Sequence, residues 1–183
     1  LSEDGSELLY STYLGGGVGD GAYALAPDGA GGVIVAGYTA SDDFPTTVGA
    51  FDRAFNGSSD AFIARLDEDG SELLYSTYLG GGSNDYAYAL APDGAGGMVV
   101  AGTTGSNDFP TTGGAFDESF NGGDGDVFIT RLELIANHAP VWSEVPDTVS
   151  VDEAQQLTFG VTGSDPDGDS LTIVATSDNL PAG

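Results

Sequence analysis

This sequence predicts an all-β chain, and three observations carry the prediction. Short runs rich in Val, Ile, Tyr and Thr, such as "VIVAGYT" at 33–39 and "DAFIARL" at 60–66, are bounded by Gly, Asp, Asn and Pro, as strands are. A Gly-rich reversal, "PDGAGG", separates two such runs and signals a hairpin. The third is a duplication: "DGSELLYSTYLGGG" stands at 4–17 and again, letter for letter, at 69–82.

The elements follow in order. In "ELLYSTYLG", Leu8, Tyr10, Thr12 and Leu14 alternate with Leu9, Ser11 and Tyr13, the pattern of a strand buried on both faces. "YALA", its turn and "VIVAGYT" make the hairpin. Beyond Pro45, Phe51 and Phe55 stand four apart, as do Phe116 and Phe120, each pair followed by Asn-Gly. That spacing predicts one helical turn ended by glycine, lying across the sheet edge with its phenylalanines as plugs. "DAFIARL" and "DVFITRL" are the fourth strands, and "DEDGS" turns the chain into the next unit. Four such strands make a sheet the size of one propeller blade.

The duplication extends well past its opening words. "ALAPDGAGG" recurs at 24–32 and 89–97, "DFPTT" at 43–47 and 108–112, "GAFD" at 49–52 and 114–117, and "FNG" at 55–57 and 120–122. The offset is 65 residues, becoming 66 after an insertion near Gly123. Leu1 matches Leu66 and Leu66 matches Leu132, where a third unit could begin, but the text changes. Self-similarity at a fixed period is the mark of a repeat architecture.

Charge bounds the partners. The chain has 29 acidic and three basic residues (Arg53, Arg65, Arg131), no lysine, and a net charge of −26. Phosphate contacts need Lys and Arg, so nucleic acid and anionic lipid are poor partners. No segment has the apolar length of a membrane helix, and with no cysteine there is no disulfide or thiolate site. Disorder does not fit a chain that is 40% hydrophobic. The acid is mostly Asp beside Gly, Asn and Ser, which is turn and oxygen-ligand chemistry. The chain starts and stops in mid-pattern and reads as an excerpt of a longer secreted polypeptide.

The strings "LLYSTYLGGG", "DYAYALAPDG", "VVAGTT", "DFPTT", "GAFD", "FNGG" and "DVFITRL" resemble the bacterial SBBP family of beta-propeller repeats. The resemblance implies two extracellular repeats, 1–65 and 66–133, with no catalytic residues. After a linker at 134–140, residues 141–183 carry the "N-x-AP", "V-x-E" and "DPDGD-x-L" landmarks and are similar to the cadherin-like and Ig-like domains of bacterial surface proteins. About half of such a sandwich is present.

The strongest chemical candidate is "DPDGD". Asp165, Asp167 and Asp169 alternate around a Pro and a Gly and can converge oxygens on a hard cation. Glu153 and Asn137 stand where the cadherin-like pattern places further ligands, so the resemblance implies Ca²⁺ stiffening the junction. "DEDGSE" at 67–72 has the opening of an EF-hand loop but lacks its distal Glu, and reads as a β-turn. Asp20/Asp85, Asp43/Asp108 and Asp60/Asp126 recur once per unit and read as turn caps accepting backbone N–H groups. "LGGG" and "GAGG" are not phosphate loops, since strands follow them and lysine is absent. His138, the single histidine, falls in the linker, and Trp142 reads as a core or junction anchor.

The expectation is a non-catalytic extracellular structural or adhesive repeat protein with strand edges left to neighbouring repeats or to copies of itself. The alternatives are a filament or sheath subunit, and a polysaccharide-binding accessory module using Tyr23, Tyr38, Tyr86 and Tyr88.

Overall fold

The computed structural model describes residues 5–94, 97–134, 141–144 and 162–164. Two compact units part between residues 136 and 137. Strands β1 (Asp20–Pro27), β2 (Val33–Thr39), β3 (Asp60–Leu66) and β4 (Leu73–Leu79) form one antiparallel sheet in the order β1-β2-β3-β4. Strands β5 (Asp85–Pro92), β6 (Gly97–Thr104) and β7 (Asp126–Glu133) form a second, ordered β5-β6-β7. In the other unit β8 (Val141–Glu144) pairs antiparallel with β9 (Thr162–Ser164). The chain is all-β as predicted, with no helix among the described residues.

Among the described residues, four strands per sheet hold for the first sheet only, and the reason is phase. The first copy of "LLYSTYL", residues 8–14, lies outside any strand, with Leu8, Leu9, Tyr10 and Tyr13 exposed. The second copy, β4, pairs with β3 and completes the first sheet. Each sheet is therefore three strands of one repeat plus a place for the opening strand of the next.

β4 has the two buried faces its sequence predicts, with Tyr75, Ser76, Thr77, Tyr78 and Leu79 all buried. Its second edge is covered too. The β2–β3 connection runs along it: Thr47 N–H donates to Ser76 C=O (3.1 Å) and Tyr78 N–H donates to Asp52 C=O (3.0 Å). The connection lies where predicted, but without the helical turn. Asp52 instead accepts from Ala54 N–H and from Asn56 Nδ2, both at 2.8 Å, an Asx-type arrangement that competes with helix. Only Phe55 of the predicted pair plugs the sheet, beside Tyr78; Phe51 is exposed. The main plug is Phe44, buried with its ring 4.5 Å from Phe62.

Alternation along β3 divides the core. Ala61 and Ile63 join Ile34, Ala36, Tyr75 and Leu79 in a cluster shared with Met98, Val100 and Phe128 of the second sheet. Phe62 and Ala64 point the other way, to Phe44 and Tyr78. Both hairpins carry a bulge, between Ala22 and Ala24 and between Ala87 and Ala89. Opposite lie Gly37 and Gly102, where a methyl group would fall 1.9 Å from Gly21 O and 2.0 Å from Tyr86 O. Glycine is required wherever another backbone comes that close. Gly37→Ala is expected to cost about 3 kcal/mol or more, as overpacking against rigid backbone does, read as a lower urea midpoint at unchanged m-value.

Candidate functional site: an acidic joint between the two sheets

The second copy of "LGGG", residues 79–82, is where the sheets of the first unit meet, and its N–H groups are already claimed. Gly81 N–H donates to Asp85 Oδ2 (2.8 Å), Gly82 N–H to Asp108 Oδ1 (2.8 Å), and Ser83 N–H to Ser106 Oγ (2.9 Å). The first copy repeats this on Asp20, Asp43 and Ser41, at 2.8, 2.7 and 2.9 Å. A side chain on Gly81 would meet Asp108 Oδ1 at 2.5 Å, so the close wrap demands glycine. The loop has the form of an anion nest, but its anions are the chain's own carboxylates.

The other repeated acids do equivalent work. Asp60 accepts from Asn56 N–H (2.8 Å) and Gly57 N–H (3.1 Å), and Asp126 from Asn121 N–H (2.6 Å). Asp28 accepts from Ala30 N–H (2.8 Å) and Arg65 Nε (2.9 Å), and Asp93 from Gly97 N–H (2.9 Å) and from Arg131. Burial alone would raise the Asp28 carboxyl. The Ala30 N–H, the Arg65 guanidinium and the Gly32 N–H outweigh it and hold the group below its ordinary range.

One pair of acids belongs to the joint. β3 and β5 start side by side, with Asp85 N–H donating to Ser59 C=O at 2.8 Å. Asp60 and Asp85 are both completely buried, and they flank one glycine: a methyl group on Gly80 would fall 2.8 Å from Asp85 Oδ2 and 2.9 Å from Asp60 Oδ1. Burial, then the negative charges of Asp85 and Asp52, push the Asp60 pKa up to about 6 against the pull of the Asn56 and Gly57 N–H groups. Asp85 Oδ1 is buried without a hydrogen-bond partner. Asp60 therefore takes up a proton more readily than a free carboxylate. A cavity of about 380 Å³ lies nearby, lined by Asp52, Asn56, Gly80 and Asp108 among others, but neither buried acid opens into it.

The four tyrosines of the polysaccharide reading do come together. Tyr23 lies 5.5 Å from Tyr38 and 5.2 Å from Tyr88, and Tyr86 lies 5.5 Å from Tyr38 and 6.1 Å from Tyr88. Tyr23 and Tyr88 sit at the two bulges and are about half exposed. The rings pack on one another rather than around a described cavity.

Asp165, Asp167, Asp169, Glu153, Asn137 and His138 lie outside the described residues. Among those described, no three acidic or histidine side chains group in a way that could hold a metal ion, and no helix is long and apolar enough to cross a membrane. The Asp60–Asp85 pair escaped the sequence reading because its members are copies of two different repeat positions, brought together only where one sheet hands over to the next. Searches of protein-family models and of curated proteins return no match to this chain.

Proposed function

We propose that this chain is a non-catalytic structural array that works outside the cell as part of a larger polypeptide. In this reading the two sheets of the first unit are propeller-type blades of SBBP-like repeats. The second unit is the opening part of an Ig- or cadherin-like domain, the setting in which a Ca²⁺-stiffened junction would belong. The observation that carries the proposal is the use of the repeated acids. Asp20/Asp85, Asp60/Asp126 and Asp28/Asp93 each close a backbone turn in both repeats, and Asp43/Asp108 tie the glycine loop to the loop that follows the second strand of each repeat. A catalytic acid is kept for chemistry, often at the expense of the fold, whereas these hold the fold.

The distinction is measurable. Asp43→Ala and Asp108→Ala are each expected to lower the unfolding free energy by about 1 kcal/mol, the worth of one hydrogen bond from a backbone N–H to a carboxylate, in urea titrations. A gain in stability from either substitution would overturn the scaffold reading. The contiguous tyrosine patch favours, as a second reading, an accessory module whose rings stack on sugar faces. Tyr23→Ala with Tyr88→Ala is then expected to abolish retention on insoluble polysaccharide in a pull-down while leaving the fold intact.

A further inference from the structure

We propose that the exposed N-terminal segment of a second copy of this chain, residues 8–14, docks as the missing fourth strand beside β7, joining copies head to tail. The proposal rests on the repeat-scaffold reading and adds a partner to it. Along the edge of β7 that pairs with no other strand among the described residues lies a cavity of about 540 Å³. Its lining includes Ser106, Phe109, Pro110, Thr112, Asp117 and Phe120, the repeat counterparts of Ser41, Phe44, Pro45, Thr47, Asp52 and Phe55.

In the first sheet those counterparts grip β4. Ser76 Oγ donates to Pro45 C=O (2.7 Å), Thr77 Oγ1 to Asp52 C=O (3.0 Å), and Tyr78 Oη to Ser41 C=O (2.8 Å). Among the described residues the cavity is the same grip without a strand in it. The occupant in the first sheet is spelled "LLYSTYL", and the only other copy of that string in the chain is 8–14. There Tyr13 is fully exposed, at 103%, whereas Tyr78 is 1% exposed.

Both ends of the unit are prepared for the same join. Leu14 already packs against the Phe44, Phe62 and Tyr78 cluster and the Tyr10 ring lies against Gly70, so residues 8–13 run ahead of the first sheet without pairing in it. At the other end Val127 and Ile129 are 73% and 74% exposed, while their counterparts Ala61 and Ile63 are fully buried against the second sheet. A docked copy brings its own first sheet onto this bare face. Backbone direction agrees as well. Ser76 N–H and C=O both serve Thr47, so Thr77, opposite Ile63, turns its backbone groups to β3. By the repeat, Ile129 presents its N–H and C=O to the vacant side. The outcome is strand addition by a heterologous contact, which closes a ring or propagates a filament.

Complementary lesions test this in the full chain by sedimentation velocity. High salt is used because the charge of −26 on each copy opposes association until screened. Thr12→Pro removes a ladder donor from the N-terminal segment, and Ile129→Pro removes one from the edge, where proline is tolerated. Wild type is expected to show mass rising with concentration, each variant alone to stay monomeric, and their mixture to form a 1:1 dimer. Should Ile129→Pro unfold by circular dichroism, an excess of a peptide of residues 8–17 replaces it and is expected to dissolve the wild-type assembly. A wild type that stays monomeric overturns the proposal, as does a Thr12→Pro variant that assembles normally or a peptide without effect. So does a Thr12→Pro variant less stable than wild type at a dilution where both are monomeric, since the strand would then dock within its own chain. None of these outcomes alters the Asp43 and Asp108 measurements, so the scaffold reading is judged separately.

Discussion

Tyr78→Ala is expected to lower the unfolding free energy by about 3–5 kcal/mol, whereas Tyr13→Ala, at the matching place in an identical string, costs less than about 0.5 kcal/mol in the monomer. Tyr78 is buried with its ring 6.1 Å from Phe44 and 5.9 Å from Phe55, and its hydroxyl donates to Ser41 C=O at 2.8 Å. Burial is the main cause holding its phenol above the ordinary range, with Asp60 and two further acids adding to it. Truncation leaves a cavity between β4 and its covering loop and strands a buried carbonyl. Tyr13 has neither neighbour nor burial to lose. Urea unfolding at low protein concentration separates the two, and Tyr78→Phe should fall between, at about 1–2 kcal/mol for the lost hydrogen bond. Equal losses from the two alanine variants would mean that the strands are equally engaged, contrary to the phase of the sheets.

The second large effect is a stability that declines as the solution becomes neutral. Asp60 titrates at about 6 in the folded chain against an ordinary value of 3.8. Between those values the folded state binds more protons than the unfolded one, so stability falls as pH rises through the window. The full loss is on the order of 3 kcal/mol. Asp28 works the other way: its folded carboxyl is depressed, so its contribution is lost as pH falls below the ordinary carboxylate range. Stability should therefore peak near the ordinary carboxylate value, at about pH 4 or just below, and fall from there toward neutrality. Asp60→Asn is expected to flatten the profile between 4 and 6, removing about one proton's worth of slope, roughly 1.4 kcal/mol per pH unit at most. The asparagine must give up one of the two N–H bonds that Asp60 accepts, so the shape of the profile is the readout rather than its height. A wild-type stability that rises from pH 4 to 6 would refute the protonated joint.

Much of the fold was legible because strands announce themselves locally. The Val, Ile and Tyr runs of β1, β2 and β3 and their second-repeat counterparts lie where alternation and turn residues put them. Where a sheet begins was not legible, because a period of 65 residues has no starting point. Whether "LLYSTYL" opens its own sheet or closes the previous one depends on long-range pairing. The phenylalanines misled for a local reason: the four-residue spacing of Phe51 and Phe55 suits a helical turn, but Asp52 captures the backbone first. Phe44, the better plug, stands in "DDFPTT" with no periodic partner. The joint of Asp60 and Asp85 needed the packing of two sheet starts, which no spacing in the text encodes.

The stagger between repeat and sheet has a mechanical consequence. A chain whose repeats coincided with its sheets would meet a pull along its length with little more than the bare connectors between bodies. Here the peptide that leaves the first sheet for the second is itself the last strand of the first, stitched on one edge to β3 and on the other to Thr47 and Asp52. Extending the chain at the seam must strip that strand out of a two-sided seat before the seam can open. Courses of brick are offset for the same reason, and a polypeptide laid this way resists parting at every junction where the pattern continues.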